Sequence, residues 1–272
     1  LVAFSGGFDS MCLLHALKRV CKNKIIAIHL NHKWRGQESD REQLNCQNFC
    51  KNLGIDFYSE ELDQNIAHTE TAARDARYKF FEKCSKKFAS KIVFTAHNKN
   101  DNAETLIYRI CMGTGVYGLQ GISAHREIYY RPLLSIARGE IEKYSQKLGL
   151  TPNLDSSNND IKYKRNFIRT KILPLLKEVN PNVIDTINSL SEIAQDDNEI
   201  INDSIDEILG KISDKNRINI SKFLAHKISV QKRIVYNIFI KNNLDYDRKK
   251  IENILNFIYE TKDSKSGKIC SL

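Results

Sequence analysis

The chain has 272 residues, enough for one large or two smaller domains, and its 41% hydrophobic content with only 12 Gly and 4 Pro excludes a largely disordered or fibrous polymer. No apolar run reaches membrane-spanning length and no signal peptide is expected, while 7 scattered Cys without a C-x-x-C pair argue against zinc or iron–sulfur sites, so a reduced, cytoplasmic protein is expected. The formal net charge of +9 favours a polyanionic partner such as RNA, although scattered lysines also make an ordinary solvated surface.

In chain order, the apolar run Leu1-Val2-Ala3-Phe4 reads as a strand. Because the chain opens inside it, a few preceding residues are expected. Ser5-Gly6-Gly7-Phe8-Asp9-Ser10 follows, then the periodic segment Met11-Cys12-Leu13-Leu14-His15-Ala16-Leu17. Strand, glycine turn and helix build a phosphate site: glycine lets the backbone approach an anion, and the helix N-terminus aims free N–H groups at it. The spacing and the missing lysine exclude a Walker loop. Residues 24–32 read as a second strand, 39–53 as a helix stopped by Gly54, 55–62 as a third strand and 70–89 as a helix. A fourth strand over 91–96, a helix over 101–111, a short strand over 129–133 and a helix over 135–148 complete the alternation. Such alternation predicts an α/β fold, a doubly wound parallel sheet covered by helices.

Beyond residue 177 the character changes. Asn180-Pro181 reads as an N-cap and N1 proline opening an acidic helix of roughly 25–30 residues. Residues 178–210 hold nine acidic and no basic side chains, between basic blocks at 1–177 (twenty-eight basic, eighteen acidic) and 211–272 (fourteen basic, six acidic). Further helices are expected over 221–225, 229–242 and 247–259, with no strand before 267–272, which resembles a strand cut short at a third domain. The expected domains are therefore a catalytic unit at 1–177 and a smaller all-helical unit at 178–272.

Ligands in an open α/β sheet bind beyond the carboxyl ends of the strands. Three such ends are polar: Ser5–Ser10, the run His29-Leu30-Asn31-His32-Lys33-Trp34-Arg35-Gly36, and the run from Thr95 to Thr105. His29 and His32 fall on opposite strand faces, which excludes joint zinc ligation; His32 suits stacking or hydrogen bonding beside a nucleotide, and His29 suits packing. Asp101 and Glu104 share a helical face, so they can hold Mg²⁺, hold an ammonium or share a proton; equally, Asp101 can cap the helix with Glu104 reaching back. Arg74 and Arg77 share a helix face, and Arg165 and Arg169 follow the polar loop 155–160; phosphate contact and an exposed salt-bridged surface both fit them.

The SGGxDS loop resembles the signature of the PP-loop ATP pyrophosphatases, which cleave ATP between the α- and β-phosphates. Taken in order, SGGFDS, HLNHKWRG, ARDARY, TAHNKNDNAET, GTGVYGLQGI, RPLL and the D-x-x-N…RN-x-x-R run through Arg169 resemble the tRNA(Ile)-lysidine synthetases within that superfamily. The resemblance covers residues 1–177, and the later helices resemble that family's first C-terminal domain through weaker motifs. Two departures are Asn98, where the family often repeats histidine, and Trp34, where leucine is usual.

The resemblance implies a carbon–nitrogen ligase. ATP would adenylate O2 of the wobble cytidine in a CAU anticodon, releasing pyrophosphate; the ε-amine of free L-lysine would then attack C2 and displace AMP. It implies ATP binding by Ser5, Gly6, Gly7, Phe8, Asp9, Ser10 and His32, with Asp9 at the Mg²⁺–phosphate end. Asp101 and Glu104 would recognise the lysine ammonium, with Arg77 beside them at the lysine carboxylate or the adenylate; Asp9, Arg77, Asp101 and Glu104 form the implied catalytic set. Arg35, Arg74, Arg131, Arg165 and Arg169 are further candidates for phosphate or tRNA contact. No membrane partner is implied, and a homodimer stays open. A PP-loop tRNA thiolase or a non-catalytic tRNA-binding protein are the competing readings; sulfur chemistry lacks its usual C-x-x-C pairs here, and a mere binder has no need of carboxylates beside the glycine loop.

Overall fold

Apolar strands alternating with amphipathic helices fold into a mostly parallel sheet, with helices linking its parallel strands. The computed structural model describes residues 1–63, 65–153, 161–214, 217–242, 244–245 and 247–262. Its strands are β1 (Val2–Ala3), β2 (Ile26–Asn31), β3 (Asp56–Glu61), β4 (Val93–Phe94), β5 (His125–Arg126) and β6 (Tyr129–Tyr130), in the spatial order β3-β2-β1-β4-β6-β5. Every neighbouring pair is parallel except the edge pair β5–β6. The sequence reading lacks β5: two exposed residues of a tight hairpin carry no alternation to detect.

Strands β1 to β3 proceed toward one edge, and β4 returns to the other side of β1. A crevice therefore opens between the carboxyl ends of β1 and β4, where the strand order reverses. Helices α1 (Phe8–Val20), α2 (Gln37–Leu53), α3 (Glu70–Lys87), α4 (Lys99–Met112) and α5 (Arg138–Lys147) connect and follow these strands. Adjacent strand residues face opposite ways, so Ala27 joins one core and Ile28 another. The first packs Met11, Leu13, Leu14 and Leu17 of α1 against Phe4, Cys46 and Cys50; the second packs Phe80, Phe81 and Cys84 of α3 against Val93 and Tyr129.

Beyond the sheet, α6 (Lys164–Phe167) passes through a π-helical turn, Ile168–Ile172, into α7 (Leu173–Val179). Pro174 has no N–H for the carbonyl four residues back, and its ring crowds that carbonyl, which accounts for the widened turn. The acidic helix α8 (Val183–Ile212) is 30 residues long.

The chain divides into compact units Leu1–Ile193 and Ala194–Leu272. This boundary lies later than the 177/178 division drawn from sequence. The first turns of α8 are bound into the first unit: Asn102 Nδ2 donates to Asn188 Oδ1 at 2.9 Å, Asn188 Nδ2 to the Lys99 carbonyl at 3.1 Å, and Ser191 Oγ to the Gln120 carbonyl at 2.7 Å. In the second unit Ile205, Phe223, Ile234, Phe239 and Leu255 form a core among α8, α9 (Ile220–Leu224), α10 (Ile228–Lys241) and α11 (Arg248–Thr261). It is not purely helical. An antiparallel pair, β7 (Ser213–Asp214) and β8 (Arg217–Ile218), corrects the expectation of no strand before residue 267; these short, mostly polar strands carry no apolar run to signal them. Residues 267–272, read as a strand, lie outside the described residues. Among the described residues no helix is long and apolar enough to cross a membrane.

Candidate active site at the switch point

The glycine loop leaves β1 and enters α1 at the crevice. No side chain caps the α1 N-terminus, so its first N–H groups are available to an anion. Ser5 and Ser10 hold the loop shape: their hydroxyl oxygens lie 3.2 Å apart, and Ser10 Oγ donates to the Gly7 carbonyl at 3.0 Å. The two glycines, alike in sequence, differ in the structure. Gly6 is buried with φ +81°, and a Cβ there would fall 2.4 Å from Asn153 Nδ2 and 2.7 Å from Cys46 Sγ. Gly7 has φ −76°, and its added Cβ would meet only Ser5 Oγ at 3.7 Å. Asn153, which sequence reasoning missed, also donates its backbone N–H to the Gly6 carbonyl at 2.9 Å and its Nδ2 to the Glu42 carbonyl at 3.2 Å.

Across the crevice, α4 starts with a capping box, but its members differ from the pair expected. Asn98 is the cap, accepting from the N–H groups of Asn100 and Asp101, and Asp101 Oδ2 reaches back to the Asn98 N–H at 2.9 Å. The signal was an N-x-x-D spacing one turn earlier than the D-x-x-E spacing singled out. Asn98 Nδ2 also donates to Asp9 Oδ1 at 2.9 Å, which links the glycine loop to α4. Burial, then the nearby Asp101 carboxylate, pushes the Asp9 carboxyl above its ordinary range; the Asn98 hydrogen bond and the Arg138 and Arg169 cations work against this.

Glu104 is 2% exposed, and both its oxygens are occupied. Arg169 Nε donates to Glu104 Oε1 at 2.6 Å and Arg169 Nη2 to Oε2 at 2.8 Å, a bidentate pair, while Nη2 also lies 3.4 Å from Asp101 Oδ1. Burial raises the Glu104 carboxyl, and the guanidinium opposes that shift. Arg169, a phosphate or tRNA candidate in the sequence reading, thus sits on the two carboxylates assigned to the ammonium. Arg165 Nη2 donates to Thr105 Oγ1.

His97, quoted in the polar run but given no role, is surrounded by cations. Burial, then Arg131, Arg165, Arg74 and Arg77, hold its imidazole down to about 3, so it is neutral at pH 7. Thr95 Oγ1 and His97 Nδ1 are 2.9 Å apart. Arg131 is 7% exposed, donates Nη1 to the Ser123 carbonyl at 2.6 Å, and its Nε has no partner among the described residues. The structure therefore brings Arg74, Arg77, Arg131 and Arg165 around one imidazole. Arg35 is not among them; it pairs with Glu38 at 2.9 Å and Glu42 at 2.6 Å. His29 is buried with Nδ1 2.8 Å from the Phe4 carbonyl, a packing role.

Among the described residues no group of three or more His, Cys, Asp or Glu side chains is arranged to hold a metal. Mg²⁺ takes one or two carboxylates and completes its shell with water and phosphate oxygens, a pattern that Asp9 with Asp101 nearby fits. Four buried thiols stay protonated: burial raises Cys12 and Cys84 to about 11 and Cys46 and Cys50 to about 12.

Comparison with known proteins agrees with this fold. The PP-loop domain family model matches residues 1–176. The chain is similar to the tRNA(Ile)-lysidine synthase of Clostridium tetani, 38% identical over 94% of this chain and 58% of the relative. It is 41% identical to that of Clostridium acetobutylicum over 74% of this chain and 46% of the relative, and 35% identical to that of Clostridium perfringens over 98% and 60%. The chain thus spans about half to three fifths of the length of these curated relatives. Among solved structures, the U34-tRNA thiolase NcsA of Methanococcus maripaludis shares the fold, with a TM-score of 0.54 and 18% identity over 71% of this chain and 70% of that one.

Proposed function

The chain belongs to the PP-loop domain family, and on that premise we propose that it converts the wobble cytidine of a CAU-anticodon tRNA(Ile) to lysidine. The observation that carries this reading is the convergence of Asp9, Asp101 and Glu104 beside an uncapped helix N-terminus at the switch point. The similarity to tRNA(Ile)-lysidine synthases supports the substrate.

In the first step cytidine O2 attacks the α-phosphorus of ATP, and the bond to the β-phosphate oxygen breaks, releasing pyrophosphate. The α1 N-terminus and Ser5–Ser10 loop would meet the charge that grows on the leaving group, and Asp9 would hold Mg²⁺, which neutralises the same oxygens when bound. In the second step the ε-nitrogen of lysine bonds to C2, the C2–O2 bond breaks, and AMP leaves with O2. Lysine arrives as a cation and must lose a proton before it attacks. Asp101 and Glu104 would receive the ammonium, which requires Arg169 to yield part of its hold on them. The cations around His97, Arg77 included, suit the lysine carboxylate, the adenylate or RNA phosphate. A cytoplasmic enzyme, active alone or as a homodimer, fits this reading.

The test follows pyrophosphate release and labelled lysine incorporation with tRNA and ATP. Incorporation into tRNA(Ile) that requires ATP supports the proposal. Pyrophosphate release without incorporation would favour another PP-loop base modification, and RNA binding with neither would favour a binding protein.

A further inference from the structure

One feature beside the crevice has no part in the proposed reaction. Trp34, the sole tryptophan, lies in the loop between β2 and α2. Its indole stacks on the His68 imidazole, with ring centroids 4.7 Å apart and planes 22° from parallel, and His32 leans against it at 5.3 Å and 53°. Trp34 is half-buried and His68 exposed, so the stack ends at solvent. The preceding residue, Lys33, has φ +57°, a left-handed conformation that side chains other than glycine adopt at a cost. Local bonds hold it there: its N–H donates to Asn31 Oδ1 at 2.9 Å, and Nζ pairs with Asp40 and with Glu61 at 3.0 Å. The loop is thus strained into presenting an aromatic outward, and core packing does not require that.

Its position relates it to the site. The strand carrying this loop pairs in parallel with β1, so the loop and the Ser5–Ser10 turn leave the same edge of the sheet side by side. His68 is followed by the Thr69 cap of α3, whose next turns expose Arg74 and Arg77. Lys33 and Arg35 are neutralised by their carboxylates, which leaves an aromatic patch of low charge, with two exposed arginines on the helix that His68 precedes. A flat aromatic surface beside cations fits an unpaired nucleobase and its flanking phosphate.

We propose that Trp34 and His68 form a stacking platform for an unpaired base of the RNA substrate, an inference that rests on the reading of RNA as substrate. The experiment uses the chain with an anticodon stem-loop RNA carrying an unpaired CAU loop and a fully paired duplex of the same length. Labelled-RNA anisotropy reports binding, and emission excited at wavelengths that tyrosine does not absorb reports Trp34 alone. Emission is expected to be quenched by the stem-loop with the same midpoint as binding, and to stay unchanged on binding duplex or ATP. Trp34→Leu should weaken stem-loop binding roughly five- to a hundredfold and leave duplex binding unchanged, with Trp34→Phe restoring most of the loss. Stem-loop binding with unchanged emission and unchanged Trp34→Leu affinity would overturn the platform and leave the proposed function intact. Quenching by ATP alone would overturn it in favour of an adenine contact. Failure of every RNA to bind would overturn the RNA reading itself.

Discussion

Asn98 Nδ2 donates to Asp9 Oδ1 at 2.9 Å while Asn98 Oδ1 accepts from the first N–H groups of α4. One amide therefore sets the glycine-loop carboxylate and the cap of the helix that bears Asp101 and Glu104. Asn98→Ala should cost about 1 kcal/mol through the lost cap, measurable by denaturant unfolding. It also removes the bond that favours ionised Asp9, so the acid limb of pyrophosphate release should move to higher pH.

Asp9 itself should trade stability for activity. Its folded pKa is raised, so its contribution to stability is present below the ordinary carboxylate range and is lost as pH rises through the folded value. At neutral pH the ionised group is a cost. Asp9→Asn should raise the melting temperature at pH 7, leave it unchanged in acid, and reduce pyrophosphate release about 10²–10³-fold. A lower melting temperature at pH 7 would refute this electrostatic account.

The two loop glycines should respond differently to alanine. Gly6→Ala places a Cβ against Asn153 and Cys46 and forces a left-handed alanine, costing about 1–2 kcal/mol for the backbone alone. Gly7→Ala meets nothing closer than 3.7 Å and should melt like the parent protein. Any loss of pyrophosphate release in Gly7→Ala then reports close approach of phosphate.

Removing the charge of Glu104 should separate the two chemical steps. Glu104→Gln leaves Arg169 partly unpaired and should cost about 1.5–3 kcal/mol in unfolding measurements. If the pair receives the ammonium, pyrophosphate release persists in the folded variant and the lysine requirement rises. A metal role predicts that pyrophosphate release fails first and recovers with added Mg²⁺.

Binding to RNA through phosphates predicts that log affinity falls linearly with log salt, at about 0.9 per neutralised phosphate on a duplex and less on a single strand. Arg74→Ala and Arg77→Ala should each flatten the slope in a salt titration of labelled RNA.

Much of this site was readable from residue order. The glycine loop and the D-x-x-E pair sit in strong local patterns, the arginine candidates in weaker ones that an exposed surface fits equally, and the alternation of strands and helices locates the loops that carry most of them. Asn153 and Arg169 were less legible as partners of that site, because their contacts to Gly6 and Glu104 span more than sixty residues and no local spacing encodes them. His97 stood in a polar run, but its neutrality depends on burial and then on arginines drawn from three separate segments. The short, mostly polar strands β5, β7 and β8 lack the apolar run that marked the equally short β1, β4 and β6.

The bidentate hold of Arg169 on Glu104 means that a cation reaching these carboxylates enters by exchange with a tethered competitor. The tether fixes that competitor's effective concentration, so on the proposed reading a lysine ammonium would have to outbid a neighbour that never diffuses away. Occupancy would then track the difference between two cation affinities, and guanidinium added to the medium would compete for the same oxygens. Selectivity for an amine would in this sense be calibrated against the protein's own arginine.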